Sequence, residues 1–182
     1  IVDGTNLERN LYLSTQIMEL GIPVVMAINM MDLVQKSGNK IHIDKLSKKL
    51  GCEVVEISAL KGTGIMKAAE KAISAAQSKK KTVPVHEFAQ DVEDAIKSVE
   101  NKLTGTVAEA QKRFFAIKLI EKDDKIVEQM KSVPDVSYEV KALEDKFDDD
   151  TESIITNERY VYISSIIGQC YTKSSTGKKL TT

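Results

Sequence analysis

Apolar residues in the first part of the chain occur in short unbroken runs, a pattern typical of strands that are covered on both faces. The clearest run lies within residues 23–32, where apolar positions give way to the polar residues Asn29 and Asp32. Open α/β sheets bind their ligands beyond the carboxyl ends of parallel strands. We therefore expect Asn29 and Asp32 to lie at a ligand-binding edge.

The residues around this run predict a parallel βαβ unit. Residues 1–4 resemble the last turn of a buried strand, so we expect the chain to start inside a domain. Thr-Asn-Leu-Glu at positions 5–8 has the spacing of a capping box and predicts that a helix begins there. Gly21 followed by Pro23 predicts the end of that helix. Strand, helix and strand in this order give a parallel pair.

A further strand and a second polar loop follow. Residues 35–40 are polar and predict a loop, and residues 44–50 predict a short helix. Residues 53–57 predict a strand, with the polar loop 58–64 at its carboxyl end. A helix over residues 65–77 carries a face of small residues, which we expect to pack closely on the sheet.

An abrupt change of composition at residues 78–85 predicts a domain boundary, which we place between residues 80 and 81. Its three consecutive lysines could touch phosphates, but we interpret them as a solvated linker. Beyond the boundary the apolar period is helical, and residues 173–182 predict a flexible tail or connector. The predicted helices cover about 88–103, 107–120, 123–130, 136–147 and 152–171.

Composition narrows the function classes. Lys and Arg number 26 against 27 Asp and Glu, so no overall basic field favours nucleic acid. Cys52 and Cys170 lack metal-site spacing, and we expect both to be packing residues.

His42 and His86 are isolated, and we expect each at the surface or a boundary. No apolar run reaches the roughly 18 residues that span a bilayer, which predicts a chain that is soluble by itself.

Asn29-Met30-Met31-Asp32 has the Asn-x-x-Asp spacing of the base-recognition loop of GTP-binding proteins. The Asp32 carboxylate could accept hydrogen bonds from N1–H and the 2-amino group of guanine, whereas adenine presents a bare N1 acceptor. Asn29 would brace the loop. Met30 replaces the usual lysine and could cover the base with apolar surface, which predicts weak nucleotide binding. Alternatively, Asn29 and Asp32 are ordinary turn and cap residues.

The loop after the next predicted strand supports the guanine interpretation. Ser58-Ala59-Leu60 closely resembles the Ser-Ala-Lys guanine loop. We expect the backbone amide of Ala59 to donate to guanine O6, while Ser58 orders the turn. Two such loops at the carboxyl ends of neighbouring strands predict a guanine pocket formed by Asn29, Met30, Asp32, Ser58, Ala59 and Leu60.

The groups that would hold the phosphates are absent from the sequence. No G-x-x-x-x-G-K-[ST] loop is present, so the backbone cradle, its lysine and its Mg²⁺-binding hydroxyl are missing. We therefore predict no catalytic residues, no metal site and no hydrolysis of GTP by this chain alone. The acidic run at residues 148–150 is interpreted as a solvated helix break.

Several segments resemble the cytosolic GTPase of the bacterial ferrous-iron transport protein B (FeoB) family. They are Val-Asp-Gly-Thr-Asn-Leu-Glu-Arg-Asn-Leu-Tyr-Leu at 2–13, Gly-Ile-Pro-Val-Val at 21–25, the Asn29 to Asp32 string, Arg-Phe-Phe-Ala-Ile-Lys-Leu-Ile-Glu at 113–121 and Glu-Arg-Tyr at 158–160. The resemblance implies an α/β fold followed by an all-α one: a truncated sheet of the P-loop-GTPase type with flanking helices, then a small helical bundle.

The resemblance also implies a function and partners. The chain would supply guanine recognition for GTP or GDP and couple nucleotide state to Fe²⁺ passage through a membrane domain, at the cytoplasmic face of the bacterial membrane. The phosphate loop, switches and Mg²⁺ ligands of the family would lie upstream of Ile1. An unpaired sheet edge would then favour a homo-oligomer, strand exchange or a retained N-terminal half of the G domain. The alternatives are a non-enzymatic helical adaptor and, on weaker grounds, half of a dinucleotide-binding enzyme.

Overall fold

The computed structural model describes residues 1–78 and 86–174. The predicted domain boundary, the run of lysines at 79–81 and the predicted tail from residue 175 onward lie outside the described residues. Within these ranges the strands are β1 (Val2–Asp3), β2 (Val25–Asn29), β3 (Lys40–Ile41), β4 (Glu53–Glu56) and β5 (Tyr171–Thr172). The helices are α1 (Leu7–Glu19), α2 (Met31–Lys36), α3 (Ile43–Leu50), α4 (Ile65–Ser78), α5 (Gln90–Lys102), α6 (Lys112–Ile120), α7 (Asp124–Gln129), α8 (Ser137–Phe147) and α9 (Thr151–Cys170).

The described strands form a parallel sheet in the order β1-β2-β4 and a small antiparallel sheet of β3 and β5. Val2 pairs with Ile28, and Val25 pairs with Glu53. Helix α1 connects β1 to β2, so the predicted parallel βαβ unit is confirmed. The parallel register brings the carboxyl ends of β2 and β4 side by side, and this adjacency positions the candidate site.

The start of α1 differs from the predicted capping box. Asp3 accepts hydrogen bonds from both the amide and the hydroxyl of Thr5, at 2.8 and 2.6 Å, and caps a short 3-10 turn over Gly4–Asn6. Helix α1 then begins at Leu7. The prediction was wrong because the carboxylate of Asp3 is the stronger acceptor and engages the threonine that would have acted as the cap.

Two further predictions need correction. Residues 35 and 36 of the predicted loop 35–40 are helical. They form the end of α2, a short helix that begins two residues after β2. On α4, Ala68 packs against Ala27, Val55 and Ile57, but Ile73 is exposed. Of the predicted small-residue face, Ala68 thus packs on the sheet, whereas Ala69, Ala72 and Ala76 are exposed.

The helical part of the chain follows the predicted periodicity closely. Helices α5, α7, α8 and α9 begin and end within about two residues of their predicted bounds. Helix α6 is shorter than predicted and is preceded by a 3-10 turn over Glu109–Gln111. The predicted fold class, α/β followed by all-α, is confirmed.

Helix α9 contributes to two of the hydrophobic cores in the described part of the chain. Ile154 and Ile155 near its start pack with the buried faces of α5, α6 and α8. Ile163, Ile166 and Cys170 near its end pack with α1, α3 and the sheet. Its 20 residues span about 30 Å. One helix thus connects the α/β part with the helical part.

Both cysteines are buried and unpaired, as predicted for packing residues. Burial raises the pKa of the Cys52 thiol to about 11. Among the helices of residues 1–78 and 86–174, none combines the length and apolar composition needed to cross a bilayer. The same ranges contain no group of three or more His, Cys, Asp or Glu side chains suited to a metal ion.

Candidate functional site

The first element of the candidate site is the turn between β2 and α2. Strand β2 ends at Asn29, and Met30 adopts a left-handed conformation with φ 62° and ψ 25°. The amides of Leu33 and Val34 donate to the Met30 carbonyl at 2.9 and 3.1 Å. Because this conformation costs a residue with a side chain roughly 1–2 kcal/mol, the surrounding contacts must hold it. We call residues 29–32 the Asn29 loop.

Two side-chain hydrogen bonds join the Asn29 loop to residues 58–64, which we call the Ser58 loop. The Ser58 hydroxyl donates to Oδ1 of Asp32 at 2.8 Å. The Ala59 amide donates to Oδ1 of Asn29 at 2.9 Å. Residues predicted from two separate strings therefore form one continuous polar rim at the edge of the sheet.

The Ser58 loop is closed on itself. Ser58 and Thr63 exchange two backbone hydrogen bonds, of 3.0 and 3.1 Å, and the Gly62 amide donates to the Ala59 carbonyl at 3.3 Å. At Gly64, where φ is +74°, an added Cβ would lie 2.2 Å from the Glu56 carbonyl oxygen. Only glycine fits this close approach, and it returns the chain from the loop into α4.

Asp32 is nearly covered, with its side chain 12% exposed, and the Lys61 ammonium lies 4.0 Å from its Oδ2. The hydrogen bond from Ser58, together with a smaller contribution from the charge of Lys61, holds the pKa of the Asp32 carboxyl below its usual value. The group is ionised at neutral pH. It can therefore accept further N–H donors.

One of the predicted donors beside this carboxylate is already engaged within the protein. The Ala59 amide, which we expected to donate to O6 of guanine, already donates to Asn29. It can reach a ligand only if that bond is exchanged or shared. Among the described residues, the Leu60 amide and Nδ2 of Asn29 have no hydrogen-bond acceptor and remain available. Met30 and Leu60, one in each loop, expose apolar side chains.

Sequence reasoning missed a buried ionic cluster elsewhere in the molecule. Nη1 and Nη2 of Arg159 donate to the two carboxylate oxygens of Glu19 at 2.7 and 3.0 Å, and Nε2 of His86 lies 2.9 Å from Glu19 Oε1. All three side chains are buried. The prediction that His86 lies at the surface or a boundary was therefore wrong, because the ring is buried in contact with the Glu19 carboxylate. Glu19 follows Leu11 and Thr15 at intervals of four, and this carboxylate on a buried helix face was the available signal.

A parallel sheet with these two loops at adjacent strand ends, followed by a bundle of helices, defines a G domain of the GTP-binding class with an appended helical domain. Residues 1–72 match the family profile described as ferrous iron transport protein B, and residues 88–172 match the one described as FeoB cytosolic helical domain. The chain belongs to the FeoB family.

The sequence relatives of the chain are much longer proteins. It is 37% identical to the Fe(2+) transporter FeoB of Escherichia coli K12 over 123 residues, which are 68% of this chain and 16% of that protein. It is 31% identical over 188 residues to an Fe(2+) transport protein A/Fe(2+) transporter FeoB fusion protein of Porphyromonas gingivalis, covering 96% of this chain and 22% of that protein. The chain thus spans only a small part of these relatives.

Solved structures of NFeoB from S. thermophilus share the fold. A mutant bound to GDP matches with a TM-score of 0.87 and 38% identity, over 94% of this chain and 67% of that one. The mGMPPNP-bound protein matches with a TM-score of 0.83 at the same identity, over 96% of this chain and 66% of that one. Guanine nucleotides therefore bind to members of this family.

Proposed function

We propose that this chain carries the guanine-recognition part of a FeoB G domain. The observation that supports this most directly is the pair of hydrogen bonds between the two loops, Ser58 to Asp32 and Ala59 to Asn29. They hold an ionised carboxylate and several N–H donors at one sheet edge. The GDP and mGMPPNP complexes of the S. thermophilus relatives point to the same ligand class.

In this proposal each site residue has a separate role. Asp32 accepts from N1–H and the 2-amino group of guanine, while Asn29 braces the loop and offers its Nδ2 to the base. Guanine O6 accepts a hydrogen bond from one of two backbone amides. One is the Leu60 amide; the other is the Ala59 amide, which must first give up its bond to Asn29. The exposed side chains of Met30 and Leu60 cover the faces of the base.

The larger assembly is also a proposal. We assign residues 1–80 to the G domain, 81–172 to a helical regulatory domain and 173–182 to a connector. The whole protein would use GTP and Mg²⁺ at its cytoplasmic side and would couple nucleotide state to Fe²⁺ passage through a membrane domain. The names of the relatives, which are Fe(2+) transporters, support this proposal.

A phosphate-binding part would complete the site, and we propose that it pairs along β1. The outer edge of β1 pairs with no strand among residues 1–78 and 86–174. A cavity of about 590 Å³ lies beside that edge, lined in part by Ile1, Asp3, Leu13 and Ile17. Leu13 is 62% exposed on the same side of α1. An added strand would cover this apolar surface.

The guanine assignment is tested by titrating the ¹⁵N-labelled chain with GDP, ADP and XDP while recording amide chemical shifts. We expect GDP to move the signals of Asn29, Ala59 and Leu60 with an affinity on the order of millimolar, since no phosphate loop contributes. Asp32→Asn should weaken GDP binding at least about tenfold, because two hydrogen bonds to a charged acceptor are lost. It should also favour XDP, since the Asn amide can donate to the 2-oxo group of xanthine.

Asp44→Asn is the matched control, because Asp44 also lies in the first turn of a helix but outside the two loops. It should leave all three titrations unchanged. Unaltered GDP binding and unaltered preference for guanine over xanthine in Asp32→Asn would show that the assignment is wrong. If no nucleotide moved either loop, the helical adaptor would be the better description.

A further inference from the structure

The β3–β5 ladder connects the end of the last helix to the segment that follows the guanine site. Lys40 pairs with Thr172, and Ile41 pairs with Tyr171, in antiparallel register. The two strands are about 130 residues apart in sequence, and each has only two residues. We call residues 39–42 together with 170–174 the clasp.

Further hydrogen bonds reinforce this short ladder at both ends. The His42 amide donates to the Cys170 carbonyl at 2.8 Å, and His42 Nε2 lies 2.9 Å from Oγ1 of Thr172. At the other end, Oδ1 of Asn39 accepts from the Ser174 amide at 3.0 Å. A two-residue ladder is weak by itself. These contacts fix its register.

The clasp is joined to the Asn29 loop by a single short helix. Asp32 lies in the first turn of α2, and the Asn39 amide donates to the Val34 carbonyl in the turn that ends this helix, at 3.2 Å. Gly38 in the same turn has φ +75°, and an added Cβ would lie 2.9 Å from Oγ of Ser174. Helix α2 therefore ends in close contact with the strand that follows α9.

Packing makes this connection stiff. Val34 on α2, Ile41 on β3 and Cys170 at the end of α9 are buried in one hydrophobic core. Close-packed interiors transmit small displacements because they hold few voids. A shift of α2 that moves Asp32 must therefore also move β3 or disrupt its pairing with β5.

We propose that the clasp couples occupancy of the guanine site to the position of β5 relative to β3. The inference rests on the proposed function, since it takes guanine nucleotide as the ligand. GDP bound to Asp32 fixes α2 and stabilises the clasp, and a closed clasp in turn holds Asp32 in its binding position. Coupling of this kind is reciprocal.

The test measures the coupling in both directions, from the clasp to GDP binding and from GDP binding to the clasp, on the whole chain. Asn39→Ala combined with His42→Ala removes the two side-chain contacts of the clasp and should raise the Kd for GDP about fivefold, at the lower end of common coupling factors. In the unsubstituted chain, saturating GDP should slow hydrogen exchange at the His42 and Ser174 amides by a similar factor. Tyr162→Phe is the matched control, because it removes the bond of 2.8 Å from the Tyr162 hydroxyl to the Lys49 carbonyl, which joins α9 to α3 outside the clasp.

The outcomes separate the two proposals. If GDP binds in an Asp32-dependent way but the clasp variant keeps the same Kd and exchange does not slow, the clasp inference is overturned and the guanine assignment stands. At the same GDP concentration Asp32→Asn should show less slowing, in proportion to its lower occupancy; undiminished slowing in this variant would also overturn the coupling. If the unsubstituted chain binds no GDP, both proposals fail. Tyr162→Phe should match the unsubstituted chain within twofold.

Discussion

Glu19 is fully buried, and its two partners reach it from distant parts of the chain. Burial alone would raise the pKa of its carboxyl, but hydrogen bonds from His86 and Arg159 and their charges outweigh this and lower it. Arg159 forms the bidentate fork that suits a carboxylate. The Phe88 ring lies under the same guanidinium, and its centroid is 5.8 Å from Cζ of Arg159. This cluster ties α1 to α9.

Removing one charge of this pair should destabilise the fold strongly. We expect Glu19→Gln to lower the free energy of unfolding by about 3–5 kcal/mol, because the buried Arg159 guanidinium loses its bidentate carboxylate partner and keeps the weaker contact of its Nε with Glu121 at 3.8 Å. Urea denaturation followed by circular dichroism measures this value. The double variant Glu19→Gln with Arg159→Met should recover most of the loss, since an uncharged pair of similar volume needs no ion pairing.

Glu70→Gln, on the exposed face of α4, is the control and should change stability by less than about 0.5 kcal/mol. The pH dependence provides a second check. Because the folded pKa of Glu19 is lowered, its contribution is complete above the ordinary carboxyl pKa and is lost as pH falls through the folded value. The unsubstituted chain should therefore lose more stability on acidification than the double variant. Equal acid sensitivity would contradict this role.

The candidate site was predictable from sequence as far as its residues and their adjacency. Asn29, Asp32 and Ser58 follow apolar runs directly, and parallel pairing brings such strand ends together. The engagement of the Ala59 amide was not predictable, because it depends on where the Asn29 side chain points. The left-handed conformation of Met30 was also not predictable from sequence, since a methionine side chain does not favour that conformation.

At the scale of elements, the start of α9 depends on one cap. Oδ1 of Asp150 accepts from the Ser153 amide at 2.9 Å, and Oδ2 accepts from the Ser153 hydroxyl at 3.0 Å. Asp148 just before it is left-handed, with φ 53°. The acidic run interpreted from sequence as a solvated helix break is thus also the stop of α8 and the cap of α9.

We expect Asp150→Ala to lower the free energy of unfolding by about 1 kcal/mol, because the first turn of α9 loses its side-chain acceptor. Thermal denaturation measures the change. Asp145→Ala is the control: Asp145 forms an exposed pair with Lys141 on α8, and the loss of this pair should change stability by less than about 0.5 kcal/mol. Equal effects of the two substitutions would show that α9 does not depend on this cap.

Helix positions were more predictable than helix starts. A repeating apolar pattern over ten or more residues fixes that a helix exists and which face is buried, as in α5 and α8. The start of α1 depended instead on competition between Asp3 and Thr5 for the same hydrogen bonds. The short strands β3 and β5 have no periodic signal of their own, since they exist only because their two segments meet.

At the scale of the whole molecule, the outer edge of β1, which pairs with no strand among residues 1–78 and 86–174, predicts association. We expect the chain to form dimers or larger species in light scattering at the concentrations used for NMR, because the edge and the neighbouring exposed Leu13 and Ile17 favour strand pairing. Ile1→Lys with Leu13→Glu should shift the chain toward monomer by placing charges there. Met66→Lys, on exposed α4, is the control and should not. A monodisperse unsubstituted monomer with no bound polypeptide would contradict the prediction.

The bond between Glu19 and Arg159 also has a consequence for biosynthesis. The two residues are 140 positions apart. At roughly 5–20 residues per second, a ribosome adds Arg159 about 7–28 s after Glu19. Throughout that interval the α/β core lacks Ile163, Ile166 and Cys170, and the carboxylate that will be buried lacks its arginine partner. The first core therefore cannot close until residue 170 has been synthesised, because three of its members follow Arg159 in the chain.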